Sequence, residues 1–150
     1  MVRGTRASYE VTAHSSAPPE KVFALLADSA GWSDWAGPMV VRSWWEREGS
    51  PAPGGVGAIR RLGLGKASSR EEIVEYDAPR HLAYTWLTKF PVRDYRADVR
   101  LEPDGSGTRI TWGGSFTPAF PGGATVMRRF FLRTVGGFVQ RLAREAERRG

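Results

Sequence analysis

PGGATVMRRFFLRTVGGFVQRLAREAERRG, residues 121–150, decides the fold. Met127, Phe131, Val135, Phe138, Leu142 and Ala146 recur at spacings of four, four, three, four and four. That period places them on one stripe of a helix. From Gly123 to Arg148 the helix extends roughly 39 Å at 1.5 Å per residue. A rod this long spans a whole sheet, and its apolar stripe calls for one to cover. Arg129, Arg133, Arg141, Arg144 and Arg148 fall away from the stripe and read as a solvated face. Gly136 and Gly137 interrupt the helix, each at a cost of about 1 kcal/mol relative to alanine. By helical angle Gly136 falls opposite the stripe and Gly137 beside it. A helix bend, a close approach of another backbone or a dimer contact would account for them.

The partner sheet lies upstream. Ala7–Ser15 alternates, with Tyr9, Val11 and Ala13 on one side and Glu10, Thr12 and His14 on the other. That is a half-buried strand. A short helix follows over Pro19–Ala27, with proline in its first turn, Glu20 close behind, and Val22, Phe23, Leu25 and Leu26 as its apolar side. Gly31–Trp35 makes a second helical turn. Six further strands are expected over Met39–Glu48, Val56–Leu62, Ser69–Tyr76, Leu82–Leu87, Tyr95–Leu101 and Thr108–Phe116. The links are short and rich in glycine, proline and aspartate, so neighbouring strands run antiparallel. The expected architecture is α+β: a seven-stranded antiparallel sheet curled around one long helix, with two short helices after the first strand. One helix does not fill such a concavity. The rest is large side chains or empty space.

Composition sets limits. One domain over residues 1–150 is expected, and a chain this long buries about 68–70% of its unfolded surface without disulfides or metal. The absence of cysteine removes disulfides, thiol nucleophiles and Cys-ligated metals. His14 and His81 are too far apart in sequence for a ligand motif, and no metal or other cofactor is expected. No apolar run reaches the roughly 18–20 residues of a membrane span, and no apolar signal segment opens the chain. The expected location is cytoplasmic, the expected state a monomer or homodimer. The net charge of +6 favours anionic partners in general. Only Phe130 is expected as an exposed aromatic among the helix arginines, so base stacking is not indicated and nucleic acid is not the expected partner.

The chain resembles the START-like (SRPBCC), helix-grip superfamily, in particular its polyketide cyclase/dehydrase and lipid-transport branch. The resemblance rests on SAPPEKVFALLADSAGWSDW (16–35), EEIVEYDAPRHLAY (71–84), LEPDGSGTRITW (101–112) and the final helix. It implies an apolar cavity between sheet and helix. It also implies an entrance framed by the loops after the third and fifth strands and by the start of the last helix. A lipid, polyketide or isoprenoid-like ligand would suit such a cavity. The alternatives are cyclisation or dehydration of a polyketide chain without metal, and a basic face that contacts nucleic acid, ribosome or anionic membrane. The aromatase/cyclases of this family typically carry a tyrosine soon after the tryptophan segment and an arginine on the fourth strand. Here Gly37-Pro38-Met39 and Ile73-Val74 stand in those places, and no catalytic residue is assigned.

Alternation nominates the lining: Tyr9 and Val11, Leu82, Tyr84 and Trp86, Tyr95 to Leu101 at every second residue, then Ile110, Trp112 and Phe116. Arg96, Asp98, Arg100 and Arg109 fall outside. Met127, Phe131, Val135 and Phe138 face in from the helix. Trp32 and Trp35 either wall off one end of the cavity or pack the end of the core. Arg128 lies within the stripe's sector near the helix start, as a contact for an anionic ligand group or as a snorkelling rim residue. Parity sends either Arg60 or Arg61 inward, and either Glu71 or Glu72; Arg60 and Glu71 are the candidates carried forward as a buried pair.

Overall fold

The computed structural model describes residues 6–38, 40–64, 67–88 and 91–149. The strands are β1 (Ala7–Ser15), β2 (Arg42–Arg47), β3 (Ile59–Leu64), β4 (Ala67–Asp77), β5 (His81–Trp86), β6 (Val92–Asp104) and β7 (Gly107–Pro118). Helix α1 covers Pro19–Ala27, a 3-10 helix covers Ser29–Asp34, and α2 covers Gly123–Arg149. The seven strands form one antiparallel sheet in the order β1-β7-β6-β5-β4-β3-β2. Strands β2 to β7 follow one another in space as in sequence. The segment holding α1 and the 3-10 helix carries the chain from β1 at one edge to β2 at the other. This is the helix-grip arrangement.

The bounds of β1 and α1 are those expected. The second strand is shorter than expected, starting at Arg42, and Met39 lies outside the described residues. Strand β3 begins at Ile59 rather than Val56, because Val56 closes a separate bridge to Ser50 across the Pro51–Gly55 turn. Strands β6 and β7 are longer than expected, since their register holds from Arg96↔Ser115 to Asp104↔Gly107 without a break. Irregularities bend the sheet between Ile73 and Glu75 of β4 and between Arg93 and Arg96 of β6, and a third lies between Trp45 and Arg47 of β2. At the second, Asp94 takes a φ of 51°. Extra residues of this kind increase local twist and help the sheet curl.

Helix α2 buries Met127, Phe131, Val135, Val139, Leu142, Ala143 and Ala146 against the sheet and α1. The spacing argument missed Val139 and Ala143, because a stripe wide enough to seat a helix in a concave sheet takes in both neighbours of its centre line. Phe138, expected in the stripe, is half-buried at its margin. Gly136 does not point away from the sheet. It lies over β1, where an added Cβ would meet Val11 Cγ1 at 3.9 Å, an ordinary contact. Gly136→Ala is therefore expected to raise the unfolding free energy by about 1 kcal/mol through helix propensity alone. Thermal unfolding should shift upward by about 2–4 °C. A lower melting temperature would mean that β1 sits closer to α2 than this contact allows.

The outward residues of β6 carry ion pairs. Asp98 meets Arg96 at 3.0 Å and His81 Nε2 at 2.6 Å, while Glu75 meets Arg96 at 2.6 Å and His81 Nδ1 at 3.1 Å. Asp98, Arg96 and Arg100 thus lie on the convex face, as their parity requires, and His81 belongs to that face as well.

Candidate functional site

The site starts from the parity of β3 and β4. Their register pairs Arg60 with Glu71 and Ile59 with Glu72. Arg60 and Glu71 point into the concave side and are buried, the guanidinium completely. Arg61 and Glu72 take the other side, where Arg61 bonds Glu46 and Ser68, and Glu72 lies 3.6 Å from Arg47. The inward pair is fixed from several directions. Arg60 Nε donates to Glu71 Oε1 at 2.9 Å, and an Arg60 terminal nitrogen donates to Ser29 Oγ at 3.1 Å. Ser69 Oγ and Trp86 Nε1 both donate to Glu71 Oε2, at 3.0 and 2.9 Å. The second terminal nitrogen of Arg60 has no hydrogen-bond partner. It is part of a guanidinium held between the faces of Trp32 and Tyr84, 4.4 Å from each ring centroid. Two π faces offset part of what that donor loses on leaving water.

Trp32 and Trp35 are placed by the 3-10 helix. Three residues per turn stacks positions three apart on one face, and the two rings sit 5.0 Å apart. Trp32 Nε1 donates to the Leu26 carbonyl at 2.9 Å, which ties the turn to the end of α1. Trp32 also packs on Trp112 and Phe138. Both rings are buried at the end of the core.

What the core leaves open is a cavity of about 270 Å³. Glu71, Tyr84, Trp86 and Tyr95 line it from the sheet, and Phe131, Val135 and Phe138 from α2. All seven are among the expected residues. Val40, Leu62, Gly63, Ser69, Phe130 and Thr134 line it too and were not expected. Phe130, 39% exposed, marks where the lining reaches the surface beside α2. The resemblance places the entrance at loops whose residues 65, 66, 89 and 90 lie outside the described residues.

Aromatic packing shapes the inner wall. Tyr95 and Phe131 stack at 4.7 Å and 3°, and Trp86 meets both edge-on, at 4.8 and 5.5 Å. Behind them Tyr9 stacks on Phe131 and shares a short hydrogen bond with the Tyr95 hydroxyl. Gly114 of β7 makes this possible, since a Cβ there would come within 2.6 Å of the Tyr9 ring. Trp112 Nε1 donates to the Tyr84 hydroxyl at 3.2 Å. Burial pushes the Tyr9, Tyr84 and Tyr95 hydroxyls well above the usual phenol range; Tyr84 adds to it at Tyr9 and Tyr95, and Glu71 adds to it at all three. All three therefore stay protonated and able to donate near neutral pH.

Tyr9, Trp32, Trp35, Arg60, Trp112, Phe116 and Met127 are buried around the cavity without lining it. Arg128 is elsewhere. Its Nε donates to the Ser8 carbonyl of β1 at 3.1 Å, in a shallow polar groove with Glu10 and Arg96. An arginine stem reaching from the first turns of α2 finds the β1 backbone before it finds the cavity.

A family model described as "Polyketide cyclase / dehydrase and lipid transport" matches residues 6–147. The chain belongs to this family. Solved structures carry the same fold. A START superfamily protein from Mycobacterium smegmatis superposes with a TM-score of 0.79 at 11% identity, over 95% of this chain and 99% of that one. The Zhui aromatase/cyclase from Streptomyces sp. R1128 gives 0.78 at 21% identity, over 97% and 96%. At these identities the likeness is one of fold. Among curated relatives, uncharacterized proteins of Mycobacterium bovis and Mycobacterium tuberculosis are 28% identical over 97 residues, which is 63% of this family member. The match spans 56% of those relatives' length. No helix among the described residues is long and apolar enough to cross a membrane.

Proposed function

We infer that this protein binds an apolar small molecule in the cavity between the sheet and α2. The observation that carries the reading is the cavity wall itself: six aromatic rings from two strands and one helix around a space that the protein's own side chains do not fill. Such concave, mostly apolar sites with few polar groups are the usual form of a small-molecule site. The family's description, cyclase, dehydrase and lipid transport, supports a ligand in this place. The polyketide cyclase alternative draws on the protonated Tyr84 and Tyr95 hydroxyls, which are suited to donate to a substrate carbonyl. Glu71 supports binding over turnover, because three donors already occupy positions on its oxygens.

Titration calorimetry with 2-methylnaphthalene tests the cavity directly. The parent is expected to bind. Val135→Trp, which adds an indole to the wall, is expected to weaken binding at least about tenfold, since overlapping ring and ligand cannot share one packed volume. Affinity should hardly change between low and high salt, whereas binding through the basic face would weaken steeply. Absence of binding by the parent, or equal binding by the filled variant, defeats the reading.

A further inference from the structure

The cavity has one carboxylate in its wall, Glu71, and no lysine, arginine or histidine among the described lining residues. A carboxylate offers about four acceptor positions. Oε2 is fully used, by Ser69 Oγ and Trp86 Nε1. Oε1 takes only Arg60 Nε and keeps one position. The counter-charge does not reach the cavity, because the Arg60 guanidinium lies behind the wall between Trp32 and Tyr84. A polar group entering the site therefore meets the carboxylate before it meets the cation.

Volume sets the size of the guest. A dry cavity of about 150 Å³ accepts benzene, so a space of about 270 Å³ suits roughly two fused rings. A larger molecule would have to extend outward past Phe130. The facing planes of Tyr95 and Phe131 and the edge of Trp86 favour flat, ring-shaped apolar surface over a flexible chain.

We propose that the cavity selects a ligand of about two fused rings carrying a hydroxyl or amine donor for Glu71, and discriminates against carboxylates and phosphates. This deepens the apolar-ligand reading and rests on it. An anionic ring compound has two poor choices. It can face Glu71 with like charge, or turn its charge to solvent and leave the Glu71 position unfilled. A fatty acid or phospholipid is disfavoured on the same ground, and by size.

The test compares 2-naphthol, 2-methoxynaphthalene and 2-naphthoate by calorimetry on the intact protein at neutral pH, with 2-methylnaphthalene reporting on the cavity alone. A hydrogen bond to a charged group is worth about tenfold or more in affinity. 2-Naphthol is thus expected to bind at least about tenfold tighter than both the methyl ether and the carboxylate. In Glu71→Gln, shown to be folded by circular dichroism, the advantage of 2-naphthol over its ether should shrink to a few-fold, because a neutral acceptor holds a donor more weakly. Should that variant fail to fold, the ligand series on the parent decides. Equal affinities for naphthol and ether, a tightest-binding naphthoate, or an unchanged preference in folded Glu71→Gln each overturn the selectivity while leaving the apolar site standing. If 2-methylnaphthalene fails to bind, both fall.

Discussion

Arg60→Ala is expected to lower the unfolding free energy by about 3–5 kcal/mol, the range for breaking a buried ion pair. The reason is what remains. Glu71, with a side chain 7% exposed, would lose its counter-charge and keep only Ser69 and Trp86 as donors. Ser29 would lose the group that bonds its hydroxyl, and Trp32 the cation on its face. Glu71→Ala should cost a similar amount, since it strands a fully buried guanidinium on one hydrogen bond. The double variant Arg60→Ala/Glu71→Ala removes both charges together. It is expected to be less destabilised than the sum of the singles by about 2–3 kcal/mol. Urea unfolding of the four proteins closes the cycle. Additive losses would show that the two side chains do not act as a unit, and that the cost lies in lost volume alone.

That pair also shows where reading the sequence stops. Alternation was enough to send Tyr84, Trp86 and Tyr95 inward, and Arg96 and Asp98 outward, because each of those strands has one apolar and one polar side. Strands β3 and β4 do not. IRRLGL and SREEIVEY carry charge on both faces, so either arginine and either glutamate satisfies the period-two rule. The choice is made by register. Arg60 stands opposite Glu71 only because β3 and β4 pair as they do, and the Ser29 hydroxyl arrives from the 3-10 helix. The long helix was legible from spacing, since a 27-residue amphipathic segment has few other homes. The cavity was legible only as a consequence, a curved sheet that one helix does not fill. The large aromatics Tyr84, Trp86 and Tyr95 lie on the side to which alternation sends them. Val40, Leu62, Ser69 and Thr134 escaped because small and branched residues around a void look no different in sequence from those that pack a core. Arg128 lies away from the cavity for a related reason. Helical angle assigns a direction, but the nearest carbonyl along that direction belongs to β1.

Phe131→Ala is expected to have the other large effect, because this ring joins the core to the cavity. It is 2% exposed and touches Tyr9, Trp86, Tyr95 and Phe116, with ring centres 4.7–5.5 Å away. Truncation removes those contacts and leaves space that rigid neighbours do not collapse into, so the loss should be about 3–5 kcal/mol. The same change has a gain of function attached. The vacated volume adjoins a cavity that Phe131 itself lines, so the two merge. The parent should bind two-ring probes and exclude phenanthrene, while Phe131→Ala should accept it. Binding then restores part of the lost stability, since a ligand specific to the folded state raises the melting temperature with its concentration. Thermal melts across a phenanthrene series read both effects at once. A loss of stability below about 1.5 kcal/mol would mean that the site collapses around the missing ring. A full loss without any response to phenanthrene would mean that the ring's volume and the cavity are separate, and that Phe131 closes the core without bounding a ligand.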